Sequence, residues 1–213
     1  MIVISSILVM PRFKVTYFSN GDVYFGFYKG KHMHGKGKYT WSNGEIYEGD
    51  WVDGNMTGKG RKIYPSGASF EGEFFRDSRH GHDTLTKSNG DLYIGNFKNG
   101  LFHGKGKYTW SDGEIYEGDW VDGSRTFHGK GKYTWSNGTI YEGDWVAGNM
   151  TGKGWIIYQS EERFEGGEFF RGFHHGHNTF TKSNGDIYIG NFDNDLFQWQ
   201  REIHKVKWNN IRG

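Results

Sequence analysis

Cysteine is absent from the 213-residue sequence, and proline occurs only twice. Without thiols there is no disulfide framework, no thiol nucleophile and no zinc site built on thiolates, and a cytoplasmic setting is the simplest reading. Long hydrophobic runs are scarce as well. The one long apolar stretch, Met1 to Met10, is too short to cross a bilayer as a helix. It also lacks the basic flank and small-residue cleavage site of a secretory signal, so it reads as an extra strand or a hydrophobic cap. Neither sign of charge predominates: 26 Lys and Arg face 25 Asp and Glu, which removes any global field toward nucleic acid or an anionic membrane. A mean hydropathy of -0.80 would admit disorder. Against disorder stand the 18% aromatic content and 35 glycines that recur at fixed spacing.

That spacing is the main content of the sequence. Units open on Tyr24, Tyr47, Phe70, Tyr93, Tyr116, Tyr141, Phe164 and Tyr188, mostly at intervals of 23 residues, and a partial unit runs from Lys14 to Val23. The fifth unit carries extra residues near Ser124-Arg-Thr-Phe127, and the seventh near Gly166-Gly167, as a loop insertion or bulge would. The second unit returns as the sixth and the third as the seventh, so a block of four repeats is duplicated. Within a unit the alternation has period two, as in Tyr116-Glu-Gly118-Asp-Trp120, which is the strand period. Asp-Gly and Asn-Gly pairs (Asn43-Gly44, Asp53-Gly54, Asn99-Gly100, Asp122-Gly123, Asn137-Gly138) supply the positive φ angles of tight turns. The fold class is therefore all-β: an elongated single-layer array of about eight tandem 23-residue β-hairpins.

Alternation places Tyr116, Gly118 and Trp120 on one face with Gly129, Gly131, Tyr133 and Trp135. Rings then lie over glycines, where no Cβ obstructs them. The opposite face carries Glu117 and Asp119 on one strand and Lys130 and Lys132 on the next, so neighbouring strands compensate each other's charge.

The pattern Tyr-x-Gly-x-Trp with Gly-x-Gly-x-Tyr, as in Tyr47-Glu-Gly-Asp-Trp51 and Gly35-Lys-Gly-Lys-Tyr39, resembles the MORN repeat (membrane occupation and recognition nexus). The resemblance covers residues 14–197 as one array, between an apolar segment 1–13 and a divergent basic and aromatic tail 198–213. It implies a non-catalytic scaffold or targeting module, found in relatives at membrane junctions, the cell cortex and the cytoskeleton, some of which dimerise at their ends, some of which hold a partner helix, and several of which are linked to phospholipids.

No catalytic constellation emerges. Gly54-Asn-Met-Thr-Gly58-Lys59-Gly60 is one residue short of a phosphate loop and ends on glycine where magnesium needs Ser or Thr. His34, His80, His103, His128 and His175, with His32, His82, His174 and His177, fall in five of the eight units, too far apart between units to share a metal, and are read as packing at turns and strand starts. Carboxylates such as Glu48, Asp50, Glu142 and Asp144 lie beside lysines on an open sheet rather than in a pocket. No cofactor and no metal are expected.

The expected site is a partner-binding groove on the aromatic face: Tyr39, Trp41, Tyr47, Trp51, Tyr108, Trp110, Tyr116, Trp120, Tyr133, Trp135, Tyr141 and Trp145, taking a partner helix or extended peptide. A homodimer joined at the sheet ends is a second expectation. The competing reading is a membrane-targeting module, with Lys130, Lys132, Arg201, Lys205 and Lys207 on anionic phospholipid (phosphoinositide). A third is the regulatory region of a larger enzyme. Single-stranded nucleic acid is excluded as a partner because acids interleave every basic row.

Overall fold

The computed structural model describes residues 12–121 and 127–198. Expectations for residues 1–10, for Asp122-Gly123, for the insertion at 124–126 and for the tail with Arg201, Lys205 and Lys207 lie outside these. The chain divides at Leu101 into two units. In the first, strands β1 (Arg12–Tyr17), β2 (Val23–Lys29), β3 (His32–Thr40), β4 (Ile46–Val52), β5 (Asn55–Ile63), β6 (Ser69–Phe75), β7 (Ser78–Thr86) and β8 (Leu92–Lys98) pair in chain order, each antiparallel to the next. The second unit repeats this meander with β9 (Leu101–Thr109), β10 (Ile115–Trp120), β11 (Phe127–Thr134), β12 (Ile140–Val146), β13 (Asn149–Ile157), β14 (Arg163–Phe170), β15 (Phe173–Thr181), β16 (Ile187–Asp193) and β17 (Leu196–Gln198). No helix occurs among the described residues.

Two kinds of turn alternate. Inside a repeat, two consecutive residues take positive φ, as at Asp53 (49°) and Gly54 (88°), which gives the mirror-image turn that matches strand twist. Between repeats the loop is longer: Trp41 N–H donates to the Glu45 carbonyl at 2.9 Å, and the Asn43 side-chain oxygen accepts Glu45 N–H at 3.0 Å. The Asn-Gly pairs of the sequence therefore do two different jobs.

A β-bulge breaks the register of the hairpins inside the repeats. Gly118 pairs with Gly131, but Asp119 then pairs with His128 and Trp120 with Phe127, so β11 carries two residues more than β10 across that step. This corrects the simple alternation at Gly129. With φ at 70°, Gly129 sits on the charged face beneath Asp119, and Phe127 takes its place among the rings. The same kind of bulge brings Met33, Met56, Arg79, Met150 and His174 to the position of Phe127 in their own repeats.

The core is one layer of rings on backbone. Tyr24, Tyr47, Tyr116 and Tyr141 are fully buried, and each lies across a cross-strand glycine pair: Gly26 and Gly37, Gly49 and Gly60, Gly118 and Gly131, Gly143 and Gly154. A Cβ built on Gly118 or Gly131 would stand 2.5 Å from the Tyr116 hydroxyl oxygen. The hydroxyl is itself fixed. In these four units it donates to the carbonyl three residues on, at 3.0 to 3.2 Å. Each ring also meets a tryptophan or tyrosine on its own strand edge to face, at 5.1 to 5.2 Å. Indole N–H groups tie repeats together: Trp51, Trp120 and Trp145 donate to the carbonyls of Gly37, Gly106 and Gly131 at 3.0 to 3.1 Å.

Two of the repeats break this rule in concert. Phe70 and Phe164 replace the tyrosine, and Asp83 and Asn178 replace the second glycine. The polar side chain then fills the space above Gly72 or Gly167 that the missing hydroxyl vacates. Asp83 is 6% exposed and Asn178 1%.

Two outcomes follow for denaturant unfolding. Gly131→Ala forces the Tyr116 ring off its seat and lowers stability by about 1 to 3 kcal/mol. Tyr47→Phe leaves the ring but strips the Asp50 carbonyl of its donor, costing about 1 to 3 kcal/mol. Urea unfolding followed by tryptophan fluorescence measures both.

Candidate functional site

The aromatic face is largely consumed by its own packing. Of the twelve groove residues, Tyr47, Trp51, Tyr108, Tyr116, Trp120, Tyr141 and Trp145 are buried. The other five, Tyr39, Trp41, Trp110, Tyr133 and Trp135, are half-buried. The accessible part lies toward the loops between repeats. In the first unit Tyr39 and Trp41 lie 4.6 Å apart, with Phe18 stacked on Tyr39 at 5.7 Å. Lys62 stands at the place of Tyr39 in the next repeat and completes the row, its ammonium 4.7 Å from the Trp41 ring, 5.2 Å from the Tyr64 ring and 2.8 Å from the Glu45 carboxylate. In the second unit Tyr108 meets Trp110 at 4.6 Å and Tyr133 meets Trp135 at 4.9 Å, while Trp110 also reaches Tyr133 at 5.5 Å. The loop-start positions thus read Phe18, Trp41, Tyr64 and Lys87 in one unit and Trp110, Trp135, Tyr158 and Lys182 in the other. Three rings and a lysine recur in the same order.

Carboxylates hold the ridge from the loops. The Tyr39 hydroxyl donates to Asp22 at 2.6 Å, and Asp22 also accepts Ser42 N–H at 2.8 Å. These bonds hold the Asp22 carboxyl below its ordinary range, the tyrosine contributing most. The Tyr133 hydroxyl donates to Glu114. Burial pushes the Tyr24 phenol up to about 12. None of these groups is placed as an acid or base against an enclosed cavity.

The charged face is a ladder in register. Lys36 meets Asp50, Lys105 meets Asp119 and Lys130 meets Asp144 at 2.5 to 2.8 Å, each directly across the strands. The lysines are about 70% exposed and the aspartates a third, so each pair contributes at most about 1 kcal/mol. In the first unit this face curves into an open trough, with Phe13, Phe25 and Phe27 at one end and the rows of Lys36, Lys59, Arg61 and Glu73 along it. The phosphate-loop look-alike lies within the β4–β5 turn and β5. Among the described residues, no three His, Asp or Glu side chains gather closely enough to hold a metal.

Sequence reasoning read His174 as packing at a strand start and did not place it in the ring layer. The bulge turns it into the ring layer, stacked on Phe164 at 3.8 Å, 5% exposed, with its Nδ1 unpartnered. Only the exchange of Met, Phe or Arg for His at this position could have marked it.

A chain of β-hairpins, each a tyrosine or phenylalanine laid on backbone and locked by the next repeat, defines a β-repeat protein. The sequence profile of the MORN repeat matches residues 24–46, 47–69, 70–92, 93–115, 116–140, 141–163 and 167–187. The chain belongs to the MORN repeat family. No curated protein matches its sequence. Among solved structures it is similar to the TCP domain of Drosophila melanogaster SAS-4 in complex with a proline-rich motif of Ana2, at 15% identity, over 86% of this chain and 92% of that one, with a TM-score of 0.46. It is also similar to the TCP10 domain of Danio rerio CPAP, at 14% identity over 84% and 94%, TM-score 0.43. A streptogramin B lyase matches at 15% identity over 92% and 85%, with a TM-score of 0.17.

The buried imidazole makes the second unit sensitive to acid. Burial holds the His174 ring below its ordinary 6.5, with Asp195 opposing. Stability from this site is full above pH 6.5 and falls as pH drops below it, because the unfolded chain takes up the proton more readily. His174→Met, the residue present at Met56 and Met150, should flatten the stability profile between pH 7 and 5. Thermal melts across that range read the effect.

Proposed function

We propose that this chain is a non-enzymatic interaction module that holds a protein segment along the ridge of half-buried rings. The observation that carries the reading is the ridge itself, Trp110, Tyr133 and Trp135 in the second unit and Tyr39 and Trp41 in the first: large apolar side chains, part-exposed, and fixed by ring contacts. Rigid indoles and phenols make strong anchors because little side-chain entropy remains to be lost on binding. Corresponding rings of successive repeats stand two strands apart, roughly 9.5 Å at the spacing of a sheet, and a segment in the left-handed polyproline conformation covers about 9.3 Å in one three-residue turn that returns its side chain to the same face. A partner with an apolar side chain at every third position would seat one anchor per repeat. The setting consistent with this reading is cytoplasmic, at the cell cortex or cytoskeleton.

The phospholipid alternative draws less support. Lys130 is already paired with Asp144 at 2.5 Å and Lys36 with Asp50 at 2.7 Å, so the rows present cation and anion together rather than a basic track.

Selection of random peptides on the purified chain tests the proposal. Binders should carry apolar residues spaced by three, and their affinity should fall at least tenfold on Trp135→Ala or Trp41→Ala, with folding checked by circular dichroism. Binders indifferent to both substitutions would remove the ridge as the site. Salt-resistant binding to phosphoinositide vesicles would instead favour the lipid alternative.

A further inference from the structure

The exchange of Tyr and Gly for Phe and Asp in the third repeat leaves a carboxyl in an unusual place. Asp83 lies in β7 over Gly72, where a Cβ on that glycine would collide with it. One carboxyl oxygen accepts Glu73 N–H at 2.8 Å; the other is buried with no hydrogen-bond partner. A buried, unpartnered carboxylate oxygen is costly, and a protonated one is a donor.

The duplicated block shows what this site asks for. The equivalent of Asp83 in the seventh repeat is Asn178, whose amide nitrogen donates to the carbonyls of His175 at 2.9 Å and Gly176 at 3.2 Å. His80 and Gly81 are the matching residues in β7, since Glu73 pairs with His80 as Glu168 pairs with His175. Asparagine has nearly the shape of a protonated aspartate, with a donor where the acid carries its hydroxyl. The corresponding place is thus filled once by an amide and once by a carboxyl, with β14 one residue longer than β6 across the bulge and the Asn178 Oδ1 also buried without a partner.

We propose that Asp83 is a proton-binding site: its buried place above Gly72 favours the neutral carboxyl, which donates to the His80 carbonyl, and release of that proton loosens the β6–β7 hairpin. The groups around it are known. Glu73 faces it from β6 with like charge, and His80 and His82 lie on β7 itself and work the other way. From β8 the residue in register is Gly95, which brings no charge. Arg79 is stacked over Phe70 and Phe97 at 5.4 and 5.8 Å. Burial is the largest influence and raises the Asp83 carboxyl above its ordinary 3.8. A group raised in the folded state stabilises fully below its unfolded value, and that contribution is lost as pH rises through its folded value. The first unit is therefore weakened by loss of a proton, the second by gain of one at His174.

The test is a carboxyl-carbon NMR titration of the full chain, beside Asp83→Asn and Asn178→Asp. Asp83 should titrate with a midpoint above 3.8. Amide exchange across residues 69–86, corrected for its intrinsic pH dependence, should quicken as pH passes that midpoint in the natural chain and stay flat in Asp83→Asn. Asn178→Asp should create a second raised carboxyl and carry the same pH response to residues 163–181. A midpoint at or below 3.8, or a response that persists in Asp83→Asn, would overturn the proposal. If Asp83→Asn fails to fold, the proposal is equally overturned, since an amide could not then stand in for the neutral acid.

Discussion

Everything in this protein depends on a ring lying flat on backbone. A single sheet has no second layer to close over its apolar side chains, so each repeat must make its core from what it has. Tyr47 does this by crossing Gly49 and Gly60, a pair that leaves room because neither residue carries a Cβ. The hydroxyl reaches the Asp50 carbonyl and removes the polar cost of burying a phenol. Trp51 then packs on the ring edge to face and donates to the Gly37 carbonyl of the repeat before it. One tyrosine, two glycines and one tryptophan form a core unit that is finished only when its neighbour is present, which is the nearest-neighbour logic of repeat proteins.

The same requirement explains the pairs of changes between repeats. Losing the hydroxyl at Phe70 or Phe164 opens a polar gap, and Asp83 or Asn178 fills it from the next strand. Losing the glycine of a turn at Asp77 or Asp195 costs backbone freedom. The carboxylates there recover some of it by accepting Met56 N–H and His174 N–H at 2.7 Å. The loop acids show a similar match: Asp22 with Tyr39, Glu45 with Lys62, Glu114 with Tyr133. At the same two positions in other repeats stand Ala68 and Leu85, or Thr139 and Ile156. The match is not general, since Glu162 and Phe180 stand at these two positions in the seventh repeat and its loop.

Period-two alternation, the interval of 23 residues and the glycine-bearing turns make the hairpins, their order and the ring-on-glycine packing legible in the sequence. Three things are not. The bulge at Gly129 and its counterparts follows from a positive φ in mid-strand, and a Gly-x-Gly string does not say which glycine takes it. The placement of His174 and Phe127 in the ring layer depends on that bulge, so it is hidden with it. Tyr47, Trp51, Tyr116 and Trp120 look alike in sequence to Trp41 and Trp135, although the first four are sealed in the core and the other two are part-exposed. Position along the strand decides this: rings at mid-strand are covered by the next repeat, and rings at the loops are not.

Under the proposed function, that division also separates folding from recognition. The mid-strand rings are bound by glycine contacts and buried hydroxyl bonds, and a change there is felt throughout a repeat. The loop-start residues carry no such constraint, and they vary as Phe18, Trp41, Tyr64 and Lys87 while the tyrosines beneath them scarcely change. Variation at a fixed, part-exposed position on an otherwise uniform scaffold is what a recognition surface needs. Three rings followed by lysine recur in both blocks, with Phe18 in one exchanged for Trp110 in the other. Under the proposed function, a partner suited to one block would meet similar chemistry in the other.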